Sequence, residues 1–125
     1  MRYRKLGNTG LIVSEVGFGT IPILQGSVPV LPEYFNLNEK QAVSVMENAF
    51  RLGCNLYDTA IVPEYGDAEI KLGKFALGID REKIVISDKA RFFEGNEMYA
   101  AVLESCENLG TVPDIYFAHQ ADPEH

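Results

Sequence analysis

The sequence predicts an α/β protein in which parallel strands form one sheet. After an opening hairpin, apolar segments of strand character alternate with amphipathic helical segments in the order β, α, β, α, β, α, β. Alternation of this kind builds a parallel sheet with right-handed crossovers. Because parallel strands place their C-terminal ends at one edge, we expect a ligand site there. The length of 125 residues and the 46% hydrophobic composition fit one small globular domain.

The N-terminal segment predicts the hairpin, a first strand and a long loop. Residues 2–6 and 11–13 flank GNTG, whose glycines suit a tight turn. Residues 15–19 then form a short apolar strand that ends in glycine. The Pro-rich stretch 20–37 follows as a loop, and its β-branched residues lead us to expect that it packs on the rest of the protein.

Three helices and three further strands follow. The first helix has Asn38 as its N-cap and apolar residues at helical spacing up to Gly53. The second helix runs from about Ala68 to Leu77 and the third from about Glu97 to Leu109, each followed by a glycine. The strands are predicted at residues 54–59, 83–87 and 114–118.

Polar side chains are expected at the C-terminal ends of these strands. They are Asp58 and Tyr65 after the second strand of the parallel sheet, Asp88 and Lys89 after the third, and His119 after the fourth. A phenol has a pKa of about 10, and a nearby ammonium lowers it by favouring the phenolate. A carboxylate would hold the ammonium, and an imidazole would orient a carbonyl by hydrogen bonding. Such a set would protonate a carbonyl oxygen as it becomes an alkoxide.

Each of these residues also has an ordinary structural interpretation. Asp58 could cap a turn, Tyr65 could pack in a loop, Lys89 could be solvated, and His119 could lie at the rim of the core. Taken singly, these interpretations are the more common ones. The case for a functional site therefore depends on several different groups reaching the same edge of the sheet.

The composition indicates which classes of binding partner and which cellular compartment fit this protein. The net charge of -7 argues against a nucleic-acid backbone or an anionic membrane surface as the main partner. The two cysteines, Cys54 and Cys106, lie in separate elements without metal-ligand spacing, which fits a reducing cytoplasm. No apolar run approaches the roughly 18 residues of a membrane span, and no apolar stretch of a signal peptide follows the basic N-terminus. We expect a cytoplasmic protein.

The C-terminal tail carries four side chains of types that can bind a metal ion: His119, Asp122, Glu124 and His125. Their spacing lies on a terminal tail without visible supporting groups, and a solvated tail is the better interpretation. We expect no metal site.

Several stretches resemble the N-terminal half of an aldo-keto reductase. They are MRYRKLGNTGLIVSEVGFGT, NLYDTA, YGDAEIKLGKFA, REKIVISDK and DIYFAHQADP, in order along nearly the whole chain. The resemblance implies a parallel (β/α)8 TIM barrel with a hairpin plugging its N-terminal mouth, of which residues 1–125 would be the N-terminal half. It also implies reduction of aldehydes and ketones with NADPH, or less often NADH.

The resemblance further implies roles for individual residues. Tyr65 would be the general acid of a catalytic tetrad, Lys89 and Asp58 would tune it, and His119 would orient the carbonyl of a small-molecule substrate. One departure from the family concerns Tyr65, because Pro63 and Glu64 lengthen the loop that leads to it from Asp58. We expect this loop to bulge and still deliver the tyrosine.

Gly19 and Thr20 match the glycine-containing end of the family's first barrel strand, which lies beside the cofactor. In such enzymes Asp58 would also lie near the nicotinamide ribose. Most cofactor contacts in the family come from later strands and loops, so the resemblance leaves the choice between NADPH and NADH open.

The second departure from the family is length. A complete barrel has about 250 residues, so this sequence accommodates half of one. Four curled strands leave two unpaired edges and an apolar inner face. We expect this sequence to be a fragment of a longer protein. Two alternatives are that the chain pairs with another chain to complete the barrel, or that it folds alone as an open sheet. If the chain is complete, we expect it to self-associate. A non-catalytic binding or regulatory module remains the alternative to a reductase.

Overall fold

The computed structural model describes residues 1–25, 36–91 and 94–120. Two strands, β1 (Tyr3–Lys5) and β2 (Ile12–Ser14), pair antiparallel as the predicted hairpin. Four parallel strands form a sheet whose spatial order is the chain order: β3 (Phe18–Gly19), β4 (Leu56–Asp58), β5 (Val85–Ala90) and β6 (Ile115–Ala118). The connecting helices are α1 (Glu39–Arg51), α2 (Ala68–Leu77) and α3 (Gly95–Leu109). The predicted half of a (β/α)8 barrel is confirmed.

Helix α1 begins where its capping chemistry predicts. The Asn38 side chain accepts a hydrogen bond from the Gln41 N–H at 2.9 Å, and the Gln41 side chain accepts one from the Asn38 N–H at 3.0 Å. This reciprocal pair satisfies two of the donors that every helix start leaves open. After the helix, Gly53 has φ +96°, a conformation that favours glycine and turns the chain towards β4.

The core lies between the helices and one face of the parallel sheet. Tyr57 of β4 is fully buried there, and its ring centroid lies 4.8 Å from that of Phe75 on α2. Its hydroxyl donates to the backbone oxygens of Met46 and Cys54, and burial raises its pKa. Since consecutive side chains of a strand alternate between faces, the residues on either side of Tyr57 point to the opposite, inner face.

Strand β5 begins and ends later than predicted. Residues Arg81–Lys83 form a 3₁₀ helix instead of a strand start. The Arg81 guanidinium fixes this turn by donating to the Ile84 oxygen at 2.9 Å and to the Asp114 carboxylate at 2.7 Å. The strand itself runs from Val85 to Ala90. Asp88 and Lys89 therefore lie within it rather than after it.

Asp88 faces the helices and does not join the rim, which corrects the expectation that it would. It is fully buried beside Glu69 of α2, which is 4% exposed, and Ser105 of α3. Burial, followed by the neighbouring charge of Glu69, raises the pKa of Asp88 to about 7. Asp88 Oδ2 and Glu69 Oε1 accept no hydrogen bond from a described donor, and one proton held between the two carboxyls would satisfy both.

The loop predicted at residues 20–37 is described only at its two ends. A 3₁₀ helix at Ile21–Ile23 follows β3, and Ile23 is buried as predicted, whereas residues 26–35 lie outside the described part. The buried ammonium of Lys71 on α2 donates to the Ile23 oxygen at 2.8 Å and to the Leu37 oxygen at 2.6 Å. This lysine therefore holds both ends of the loop against α2. Within the described ranges, no helix is long and apolar enough to cross a membrane.

Candidate active site

An ion pair joins β4 to β5 at the C-terminal edge of the sheet. The Lys89 Nζ lies 2.6 Å from Asp58 Oδ2 and donates a second hydrogen bond to the Thr59 oxygen at 2.8 Å. Ser87, two residues before Lys89 on the same strand face, donates to Asp58 Oδ1 at 3.0 Å. Both oxygens of the carboxylate are thus used, and charge-assisted bonds of this kind fix the position of the ammonium.

Tyr65 reaches this pair from the loop that follows β4. It ends a 3₁₀ helix, Pro63–Tyr65, in which its own N–H donates to the Val62 oxygen at 2.9 Å. The Lys89 Nζ lies 5.1 Å from the centroid of the Tyr65 ring, a cation–π distance. The hydroxyl makes no hydrogen bond to any described residue. The lengthened loop therefore places Tyr65 beside Lys89, and the ammonium contacts the face of the ring rather than the hydroxyl.

His119 follows β6 at the same edge. Its backbone N–H donates to the Ala90 oxygen at 2.7 Å, which extends the pairing of β5 and β6 by one step. At the neighbouring Glu64, a hydrogen bond with its own backbone and one from Arg91 lower the pKa of the carboxyl, and His119 makes the smallest contribution in the same direction.

The residues predicted to lie beside a cofactor occupy the end of β3. Gly19 pairs with Asp58 in the parallel register, and the Thr20 N–H donates to the backbone oxygen of Asp58 at 3.0 Å. A Cβ at Gly19 would meet no atom of a described residue within 4 Å, so the described residues leave space beside Asp58. Thr20 is fully buried, and its hydroxyl oxygen has no hydrogen-bond partner among the described residues.

Four contributors to this edge were not predicted. They are Ser87, Thr59, Glu64 and Arg91. The spacing of two residues between Ser87 and Lys89 is a signal that could have identified the serine. Thr59 acts through its backbone oxygen, which no side-chain pattern reveals. Glu64 and Arg91 lie on separate loops, and nothing in the sequence indicates that they pair.

The metal site considered at the tail lies largely outside the described residues. His119 is described, whereas Asp122, Glu124 and His125 are not. Within the ranges that are described, no group of three His, Cys, Asp or Glu residues is placed to hold a metal ion.

A curled parallel sheet with helices outside it and polar groups at its C-terminal edge defines a protein of the β/α-barrel class. The family model for the Aldo/keto reductase family matches residues 15–125. L-galactose dehydrogenase of Arabidopsis thaliana is 40% identical over 116 residues, an alignment that covers 85% of this chain and 34% of the plant protein. The chain belongs to the aldo/keto reductase family, a family of oxidoreductases.

Solved structures of the family have the same fold. An aldo-keto reductase from Pseudomonas aeruginosa superposes with a TM-score of 0.73 at 33% identity, covering 87% of this chain and 43% of that one. A thermostable aldo-keto reductase solved with the inhibitor epalrestat superposes with a TM-score of 0.82 at 25% identity, covering 100% of this chain and 45% of that one. The chain thus spans less than half the length of these relatives.

Proposed function

We propose that residues 1–125 form the N-terminal half of an aldo-keto reductase barrel and carry the proton-transfer groups of a carbonyl reductase. The observation that carries this proposal is the Lys89 ammonium, bound to Asp58 at 2.6 Å and lying 5.1 Å from the centre of the Tyr65 ring. The reaction would convert aldehydes or ketones to alcohols. Its substrate would be a small molecule in the cytoplasm, without nucleic-acid or membrane partners.

Tyr65 would serve as the general acid of this reaction. A positive charge beside a phenol favours its ionised form, so the fixed ammonium of Lys89 would ease proton loss from the Tyr65 hydroxyl. Asp58 would keep the ammonium in place through the bond described above. His119, at the end of the neighbouring strand, would donate a hydrogen bond that orients the substrate carbonyl.

The end of β3 would receive the nicotinamide end of NADPH, with NADH as the alternative cofactor. Gly19 leaves open space beside Asp58, and the buried Thr20 hydroxyl has no partner among the described residues. The Asp58 carboxylate is 43% exposed and could accept a hydrogen bond from a ribose hydroxyl. When bound, the cofactor supplies the hydride, and Gly19, Thr20 and Asp58 would hold it close to the proton-transfer groups.

Titration of NADPH into the 125-residue chain, followed by cofactor fluorescence, tests this function. Saturable binding together with reduction of a simple aldehyde would support it. Binding that is retained in Tyr65→Phe while reduction is lost would assign the general acid. Absence of both binding and reduction, in a chain whose circular dichroism shows it folded, would refute reductase activity for this molecule.

A non-catalytic binding module is the second candidate. One observation favours it: the Tyr65 ring faces Lys89, and its hydroxyl is not hydrogen-bonded to Lys89 or to any other described residue. In that case the open sheet would bind a partner chain without turning over a carbonyl. A folded chain that binds no NADPH yet forms a stable complex with another protein would favour the module over the enzyme.

A further inference from the structure

We propose that the ion pair between Glu64 and Arg91 positions Tyr65 over Lys89. The pair joins the loop after β4 to the loop after β5, with the Arg91 Nη1 3.1 Å from the Glu64 Oε1. This inference rests on the proposed function, since the ion pair would affect the reaction only by holding Tyr65 in place. Glu64 and Arg91 would thus be positioning residues for the reaction.

The turn that carries Tyr65 has few local constraints of its own. Its N-cap, Val62, provides no side-chain hydrogen bond. Gly66, directly after Tyr65, has φ +51°, and a left-handed glycine permits a change of chain direction without enforcing one. A short 3₁₀ helix between such flanks needs an external contact to hold a fixed orientation.

The Glu64–Arg91 pair supplies this contact from the strand that carries Lys89. Arg91 follows Ala90, the last residue of β5, and is two residues beyond Lys89. Among the described residues, the pair and the ring contact of Tyr65 with Lys89 are the side-chain contacts that join the turn at residues 63–65 to β5 or to the residue after it. Just before the turn, the Ile61 N–H donates to the Lys89 oxygen at 3.0 Å. Pulling Glu64 towards Arg91 therefore brings the adjacent Tyr65 towards Lys89.

Within the described part of the chain, neither partner hydrogen-bonds to any other side chain. Glu64 Oε2 and Arg91 Nε are shielded from solvent, and neither has a hydrogen-bond partner among the described residues. Losing one member of the pair would remove the hydrogen bond between them, so among the described contacts with β5 the turn would keep only the ring contact of Tyr65 with Lys89 and the backbone bond from the Ile61 N–H to the Lys89 oxygen. Because Glu64 and Arg91 are 44% and 38% exposed in their side chains, we expect the effect on position rather than on overall stability.

Nuclear Overhauser contacts between the Tyr65 ring and the Lys89 side chain test this proposal in the 125-residue chain. Tyr65→Phe assigns the signal. We expect the cross-peak to be present in the wild type, lost in Glu64→Gln and Arg91→Gln, and retained in Arg91→Lys, which keeps the charge. Glu15→Gln is the matched control, because it breaks the ion pairs of Glu15 with Arg2 and Arg4 at the hairpin, remote from the site.

A cross-peak that survives in Glu64→Gln, or that is absent in the wild type, would overturn the proposal. Carbonyl reduction provides a separate readout: we expect kcat to fall in Glu64→Gln with little change in KM for NADPH. If the wild type reduces no carbonyl while the cross-peak responds as expected, the proposed function fails and the positioning role stands.

Discussion

The Lys89 ammonium lies 2.6 Å from the Asp58 carboxylate, although 31 residues separate them in the chain. Parallel pairing brings them together, because Asp58 is in register with Ser87 and Lys89 lies two residues further along the same strand face. The lysine side chain therefore folds back along the edge of the sheet to Asp58 and the Thr59 oxygen. A cation that is only 12% exposed in its side chain is held in this way beside Tyr65.

Asp58→Asn should weaken both the position of Lys89 and the stability of the fold. The ammonium keeps the Thr59 oxygen but loses its opposite charge, so we expect the free energy of unfolding to fall by about 1–2 kcal/mol. The loss is smaller than for a fully buried pair because Asp58 is 43% exposed in its side chain. Urea unfolding measures it, and Ser87→Ala, which removes only a neutral donor to Asp58, should cost less. An unfolding midpoint equal to that of the wild type would show that the pair contributes nothing.

Tyr65→Phe should remove activity without removing structure. The phenylalanine ring preserves the contact with Lys89, and the lost hydroxyl has no described hydrogen-bond partner, so stability should be unchanged. Under the proposed function, we expect kcat for carbonyl reduction to fall by about 10²–10⁴-fold, the usual contribution of a general acid. Tyr99→Phe on α3, where the side chain is exposed, is the control and should retain full activity. Equal rates in the two variants would exclude Tyr65 as the acid.

The buried carboxyl of Asp88 should make stability fall as pH rises. Its pKa is raised to about 7 in the folded protein, so the folded state binds more protons than the unfolded state between about pH 4 and 7. Stability is therefore fully present below the unfolded pKa and is lost as pH rises through the folded pKa. Asp88→Asn cannot ionise and should flatten this dependence, leaving the variant more stable than the wild type at pH 8 by at least about 1 kcal/mol.

Chemical unfolding at several pH values between 4 and 8 measures this effect. Glu47→Gln, which removes an exposed acid from α1, should follow the wild-type profile. The explanation fails if the wild type and Asp88→Asn have the same slope, because the carboxyl would then ionise equally in both states.

The helices were predictable because their signals are local. Asn38 forms the N-cap that its side-chain chemistry implied, and the second helix has the predicted bounds, Ala68–Leu77. The limits predicted for β5, residues 83–87, were wrong, because the apolar run that follows Lys83 indicated a strand start there. A tertiary contact decided the boundary: Arg81 binds across to Asp114 and keeps Arg81–Lys83 in a 3₁₀ helix.

In the candidate site, too, some contacts were predictable from the sequence and others depended on tertiary packing. Asp58 and Lys89 come from neighbouring strand ends, so strand order alone predicted that they would lie close together. The orientation of Asp88 depends on strand phase, which the shifted bounds of β5 obscured, and the side chain faces α2 instead of the rim. The pair of Glu64 and Arg91 joins two irregular loops, whose conformation no periodic pattern specifies.

Gly73→Ala should destabilise the packing of α2 against α3. A Cβ at Gly73 would lie 2.7 Å from the Leu109 oxygen and 2.8 Å from the Asn108 oxygen, and backbone atoms cannot move aside cheaply. Alanine favours a helix by about 1 kcal/mol over glycine, but the clash should outweigh this and give a net loss of about 1–3 kcal/mol. Gly78→Ala, at the end of the same helix with its nearest atom at 3.5 Å, is the matched control for urea unfolding. If both variants were equally stable, close helix contact at Gly73 would be ruled out.

The 125-residue chain should self-associate through its open sheet. Among the residues that the structure describes, strands β3 and β6 are its two edges, and unpaired edges readily add strands from another chain. Phe117 of β6 is in register with Lys89 and therefore lies on the inner face, where it is 53% exposed. A phenylalanine on an uncovered sheet face gains free energy by burial against a second copy.

Sedimentation velocity over a range of concentrations measures this association. We expect the mass to rise with concentration in the wild type and to stay closer to that of the monomer in Phe117→Asp. Leu103→Asp is the matched control, because Leu103 of α3 is 48% exposed but lies on a helix outside the sheet, so its variant should associate like the wild type. A monomeric mass for the wild type at high concentration would show that the half-barrel stays open in solution and would contradict the predicted self-association.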